Sequence, residues 1–171
     1  VPTMEAASSL IAADQKHLVH PLHFAKDNEH TMVVVSAKGE KIRDIDGKEY
    51  IDGLSGLWNV NAGHGRKELA KVAAKQMSEL AFASAYSGAT NIPAIKLAEK
   101  LMQIAYSQTS AVYFTTAGAE SNESAFKIAR FYWKTQGKPQ KVKIFSRVHA
   151  YHGVTMAAMS ARPRPCKRAC E

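Results

Sequence analysis

The chain has 171 residues, 46% of them hydrophobic and 22% charged, with a formal net charge of +8 at pH 7. This balance excludes collagen-like, low-complexity and mostly disordered chains, and no apolar run approaches the ~20 residues that cross a bilayer. The charge is lopsided: residues 1–123 sum to −2, whereas residues 124–170 hold eleven basic and no acidic residues.

The first residues, Val1-Pro2-Thr3-Met4-Glu5, lack the basic-then-apolar order of a secretory signal. Leu10, Ile11, Leu18 and Val19 recur at helical intervals from Met4 to His20, so a helix is expected to end before Pro21. A polar stretch through His23, Asp27, Asn28 and His30 leads to the β-branched run Val33-Val34-Val35. Asp46-Gly47 sits between short β-like runs, Ile42 to Ile45 and Tyr50-Ile51. That is a strong hairpin signal, expected as a type I′ turn with positive φ at both central residues. A small β-meander follows from it. Residues 53–65 are uncharged, apart from any histidine charge, and rich in Gly and Asn, with one tryptophan, Trp58. Such a segment suits a loop near a ligand or an interface.

Arg66 to Leu80 reads as an amphipathic helix carrying Leu69, Val72, Ala73, Gln76, Met77 and Leu80 on one side. An aromatic loop, Phe82 to Gly88, leads to a helix starting near Pro93 and running to about Tyr106. An α/β rhythm then begins. Ala111–Thr115 is a predicted buried strand, Thr116–Glu120 a turn, Ser121–Lys134 a helix, and Val142–Phe145 the next strand. The helix is expected to face Ala125, Ile128, Ala129 and Tyr132 inward. Strand, glycine turn, helix, strand implies a parallel pair with a right-handed crossover. A chain of this length is expected to bury a sizeable core.

Two spots carry candidate chemistry. Gly118 and Ala119 lie where backbone N–H groups at a helix start face an anion. With a single glycine, this is neither a P-loop nor a dinucleotide fingerprint, and a purely structural turn explains it as well. Tyr151-His152-Gly153 follows the second strand, at the sheet end where α/β proteins bind ligands. A flat heteroaromatic ring would stack on Tyr151, although a surface tyrosine is the plainer reading. His152 reads as a hydrogen-bonding structural residue rather than an acid or base. The histidines lack the spacing of a metal site, so no metal is expected. Cys166 and Cys170 lie in the last six residues and cannot staple the fold, which points to a reducing compartment.

In order and spacing, four stretches resemble the N-terminal portion of class III (ω-type) aminotransferases of pyridoxal-phosphate fold type I. They are DGKEYIDGLSGLWNVNAGHGRKEL (46–69), QMSELAFASAY (76–86), VYFTTAGAESNESAFKIARFYW (112–133) and GKPQKVKIFSRVHAYHGVT (137–155). Within the family the likeness is greatest to amine:pyruvate transaminases, which move an amino group between an amine and pyruvate or a similar keto acid.

The resemblance implies an α/β fold: helix and β-meander of a small domain over residues 1–62, and the start of a large domain with a mostly parallel sheet over 63–160. Residues 161–171, rich in Arg, Pro and Cys, depart from the family pattern and look like a shifted reading frame or an artificial terminus. The implied cofactor is pyridoxal 5′-phosphate. Gly118 and Ala119 match the phosphate turn, Tyr151 the stacking aromatic, and His152 and Gly153 complete that phrase. Glu120 and Glu123 match acidic positions after the turn, with Glu120 the one expected near the cofactor. Leu57 and Trp58 match the substrate pocket, and Tyr86 a pocket aromatic near a homodimer (or tetramer) interface. Where the family usually has hydroxyls, this chain has Ala117 and Ala119, leaving backbone donors to hold phosphate. The family's Schiff-base lysine, its carboxylate partner for the ring nitrogen and its substrate-carboxylate arginine lie beyond the matched region, so no lysine here is nominated as catalytic. The expected protein is cytoplasmic, with amine and keto acid substrates and neither nucleic acid nor membrane as partner. Alternatives are a noncatalytic fragment of such an enzyme, or a basic nucleic-acid-binding protein.

Overall fold

The computed structural model describes residues 4–21, 24, 26 and 31–161. His23, Asp27, Asn28, His30 and the tail from Arg162, with Cys166 and Cys170, lie outside the described residues. The chain forms two compact units that divide at Ser87/Gly88.

The first unit opens with α1 (Met4–His17), followed by strands β1 (Val34–Lys38), β2 (Lys41–Asp44) and β3 (Glu49–Ile51) in one antiparallel meander of order β1-β2-β3. β2 pairs Ala37 with Ile42 on one side, and Ile42 with Tyr50 on the other; a bulge falls between Val34 and Ser36. The expected Asp-Gly hairpin forms with a different turn. Gly47 alone has positive φ (86°), and Gly47 N–H donates to Asp44 O at 3.0 Å. The extra residue in the turn removes the need for Asp46 to turn left-handed, which a side chain resists.

Asp44 is the knot of this hairpin. It is only 6% exposed, and its carboxylate accepts from Lys48 N–H at 2.8 Å and from the Tyr50 hydroxyl at 2.7 Å. The Tyr50 hydroxyl first, and then backbone N–H groups, hold the Asp44 carboxyl below its usual range. Arg43 does the same for Glu49 across the strands, through a 2.6 Å bond. Lowered folded-state values mean that the stabilisation is fully present above the ordinary carboxylate range and is lost as pH falls through the lowered values. The meander amides are therefore expected to stay protected from hydrogen exchange at mildly acidic pH and to open only in strong acid. In Asp44→Asn the acid dependence shrinks. Equal protection of both proteins across the acid range would refute the assignment.

Beyond β3 come one turn, α2 (Ser55–Trp58), then α3 (Lys67–Glu79) and a 3₁₀ turn at Ala85–Ser87. The second unit contains α4 (Ile92–Ile104), α5 (Gly118–Thr135) and α6 (Met156–Ser160). α4 starts on Asn91, whose side chain accepts from Ala94 N–H at 3.0 Å. Asn at the N-cap, with proline just inside, is a strong start signal. Asn91→Ala is expected to cost about 1 kcal/mol of helix stability, read as fraying of the first turn by amide exchange.

Three expectations change. Segments 111–115 and 142–145 carry no assigned secondary structure, and neither joins a sheet; the meander is the one sheet among the described residues. A strand exists through its neighbour's hydrogen bonds, and among the described residues neither segment has a ladder partner, so the expected parallel pair is not formed there. The faces expected to point inward are exposed, including Ile128 and Tyr132 on α5 and Leu69, Val72 and Met77 on α3. The sizeable core is likewise missing: Ile45 and Ala158 are the buried apolar side chains among the described residues.

Candidate functional site

The second unit brings the two candidate spots together. The chain bends at Thr116, and Ala117, itself extended (φ −153°, ψ 162°), is the N-cap of α5, with no side-chain cap bond. The helix begins three residues earlier than expected, at Gly118 rather than Ser121. Gly118 is thus in ordinary helical conformation, and a Cβ added there would meet nothing within 4 Å. Its contribution is open space beside the first-turn N–H groups, which have no carbonyl to reach within the helix. An 18-residue helix adds its dipole to that end.

Gly153 packs directly on this turn. A Cβ at residue 153 would lie 2.5 Å from Ala119 Cβ and 2.9 Å from Ala119 Cα, and its φ is +117°. Asn122 Nδ2 donates to His152 O at 2.7 Å, and Glu123 Oε1 accepts from Ala157 N–H (2.7 Å) and Ala158 N–H (3.2 Å). The Thr155 hydroxyl beside it, then those amides, hold the Glu123 carboxyl below its usual range. His152 Nε2 is buried and has no hydrogen-bond partner among the described residues. It is the backbone carbonyl of His152, not the expected ring, that makes the bond. The backbone of His152 and Gly153 thus meets α5 at Asn122 and Ala119, the residue after Gly118, and Tyr151, the residue before them, is 69% exposed.

Glu120 bonds back to Thr116, beside the N-cap of α5. Its Oε2 accepts from Thr116 N–H (3.1 Å) and from the Thr116 hydroxyl, which, with the hydroxyl the larger influence, keep its carboxyl below the usual range. It lines an open groove of ≈ 630 Å³ with Tyr113, Phe114, Thr116 and Lys127, a groove that Gly118, Ala119 and residues 151–153 do not line. Two of the many cations in this unit are also engaged: Lys141 and Lys138 sit over the Trp133 ring, 3.5 and 5.3 Å from its centroid.

In the first unit, Leu57 and Trp58 stand on a turn that the sequence does not announce. Ser55, Gly56, Leu57 and Trp58 all have positive φ, from 51° to 66°. Left-handed backbone costs roughly 1–2 kcal/mol per residue with a side chain, so something must hold it. Asp52 Oδ2 accepts from Gly56 N–H at 2.8 Å and bonds His64 Nε2 at 2.7 Å, and Asn59 Nδ2 donates to the carbonyls of Gly56 (2.9 Å) and Leu57 (3.1 Å). His64 also exchanges both backbone bonds with Gly39, fixing the loop to the meander. Trp58 is 69% exposed, and Tyr86, on the 3₁₀ turn, is fully exposed. Leu57→Gly is expected to raise the stability of this loop by about 1 kcal/mol, measurable by local amide exchange; a loss instead would mean that the turn is unstrained. Among the described residues no three His, Cys, Asp or Glu side chains converge as a metal site, and no helix is long and apolar enough to cross a membrane.

Known proteins resemble this chain in sequence and in fold. The family model described as Aminotransferase class-III matches residues 23–169. A transaminase from the marine bacterium Virgibacillus is 48% identical in sequence and superposes with a TM-score of 0.86, covering 90% of this chain and 35% of its own. A thermostable (S)-enantioselective ω-transaminase from Thermomicrobium roseum is 44% identical, with a TM-score of 0.87 over 93% of this chain and 38% of its own. The taurine–pyruvate aminotransferase of Bilophila wadsworthia is 40% identical over 155 residues, 90% of this chain and 33% of that protein. The chain therefore spans about a third of the length of the relatives it matches.

Proposed function

The chain belongs to the class-III aminotransferase family, and from that premise we propose that it forms part of a pyridoxal-phosphate-dependent transaminase. The reaction would move an amino group from an amine or ω-amino acid to pyruvate or a similar keto acid. The observation that carries this reading is the seating of Gly153 on Ala119, which gathers the first-turn amides of α5 and the Tyr151 loop into one patch. These residues fit the cofactor. The Gly118 and Ala119 amides, with the helix dipole, suit a phosphate dianion, and the exposed Tyr151 ring offers a flat face for a pyridine ring. When bound, pyridoxal phosphate supplies an aldehyde that accepts amino groups and a ring that draws negative charge from the reacting carbon.

The residues of this chain bind and orient. With alanine at 117 and 119, those two positions would hold phosphate through backbone donors only. The match of Leu57 and Trp58 to the family's substrate-pocket positions supports a substrate-binding role for them, and the exposed Trp58 and Tyr86 suit a contact with a second copy, as in a homodimer. The acceptor reading draws on the pyruvate named for the taurine–pyruvate relative. The proposed setting is cytoplasmic. A second reading, a fragment without activity of its own, is favoured by the exposed apolar faces of α3 and α5, and it concerns this chain when alone.

The test is a graft. Residues 31–160 replace the matching segment of the Virgibacillus transaminase, and alanine formation from pyruvate and an amine is followed with added cofactor. The graft is expected to turn over, while the 171-residue chain alone does not. A graft that folds and takes up cofactor yet transfers no amino group would overturn the proposal.

A further inference from the structure

We propose that Asn122 and Glu123 are positioning residues of the cofactor site, a role that rests on reading Gly118, Ala119 and Tyr151 as that site. Each lies one helical turn along α5 from a first-turn residue, Asn122 below Gly118 and Glu123 below Ala119, so both share the α5 surface that meets the distant loop. Their bonds span thirty or more positions of sequence: Asn122 Nδ2 to His152 O at 2.7 Å, and Glu123 Oε1 to the N–H groups of Ala157 and Ala158 at 2.7 and 3.2 Å.

The bonds differ in kind and act together. Asn122 grips the carbonyl of the residue directly after Tyr151. Glu123 caps α6, whose first N–H groups have no partner within the helix; Ala158 behind that cap is fully buried. Between the two grips the Gly153 backbone lies against Ala119, with a Cβ position only 2.5 Å from Ala119 Cβ. The Tyr151 ring is 69% exposed, so neighbours do not hold it, and its orientation follows from the backbone on either side. His149, two residues earlier, has φ +64°, a conformation that the loop adopts only when it is held. Asparagine is also a poor helix former, so its place inside α5 is accounted for by the bond that it makes.

The experiment uses the 171-residue chain with pyridoxamine 5′-phosphate, whose amine does not condense with lysines. Two readouts are taken: circular dichroism induced in the pyridine band, and the rate of chymotrypsin cleavage after Tyr151 relative to cleavage after Tyr106. The wild-type chain is expected to show an induced band. Asn122→Ala and Glu123→Ala are expected to lose it, bind at least about tenfold more weakly, and be cut at least about tenfold faster after Tyr151, with Tyr106 cleavage unchanged. Glu123→Gln, whose amide oxygen still accepts both N–H groups, is expected to restore the band and the slow cleavage. Wild-type band and affinity in both alanine variants would overturn the proposal, and so would faster cleavage with the band intact, which would make the two residues loop anchors only. If the wild-type chain itself gives no band while the cleavage rates respond, the cofactor reading fails, and the positioning role falls with it.

Discussion

Gly118→Pro is expected to leave helix α5 intact while weakening pyridoxamine 5′-phosphate binding by roughly ten- to a hundredfold. Residue 118 is the first helical position, where proline is favoured because the N–H has no intrahelical acceptor. The preceding residue, Ala117, is already extended at φ −153° and ψ 162°, the conformation that proline demands of its neighbour. A side chain at 118 meets nothing within 4 Å. The substitution therefore removes one donor and little else. A hydrogen bond to a charged group is worth about 1.5–3 kcal/mol, and each 1.4 kcal/mol is about tenfold in affinity. Helix content by circular dichroism is expected to hold or rise. Undiminished binding would place the phosphate somewhere other than this amide.

Gly153→Ala is expected to have a comparable effect by another route. At φ +117° a side chain costs about 1–3 kcal/mol, and the added carbon would lie 2.9 Å from Ala119 Cα, a backbone atom with no room to give. The loop is expected to lift from α5, exposing Tyr151 to chymotrypsin and lowering cofactor affinity at least about tenfold. Pairing it with Ala119→Gly removes the clash with Cβ at 2.5 Å but leaves the φ cost and the crowding against the backbone of residue 119, so recovery is expected to be partial. Full recovery in the double variant would show that crowding by the Ala119 methyl is the whole effect.

The parts of the molecule legible in the sequence are those fixed by local rules. α1, α3, α4 and α5 follow from apolar periodicity and from the helix-start signal of Pro93, and the meander from Asp46-Gly47. The meeting of residues 118–119 with 151–153 followed from the resemblance to a family, whose order of motifs spans most of the chain. What escaped depends on neighbours. The runs at 111–115 and 142–145 have strand composition, but pairing is a property of two segments, and among the described residues neither has a ladder partner. The left-handed turn at Ser55–Trp58 runs against the propensity of three of its four residues; Asp52 and Asn59, which hold it, signal only as turn-forming residues. Glu120 and Glu123 are similar in sequence, and only the fold sends Glu120 to Thr116 and Glu123 to α6. Asn122 had one readable cue, a poor helix former inside a helix.

The most direct measurement is NMR magnetisation transfer from pyridoxamine 5′-phosphate to the 171-residue chain, from the phosphorus to backbone amides and from the pyridine protons to aromatic side chains. The expected result is transfer to the Gly118 and Ala119 N–H groups, together with transfer from the pyridine ring to Tyr151. Phosphorus transfer to other amides, or ring transfer that leaves Tyr151 untouched, would contradict the site.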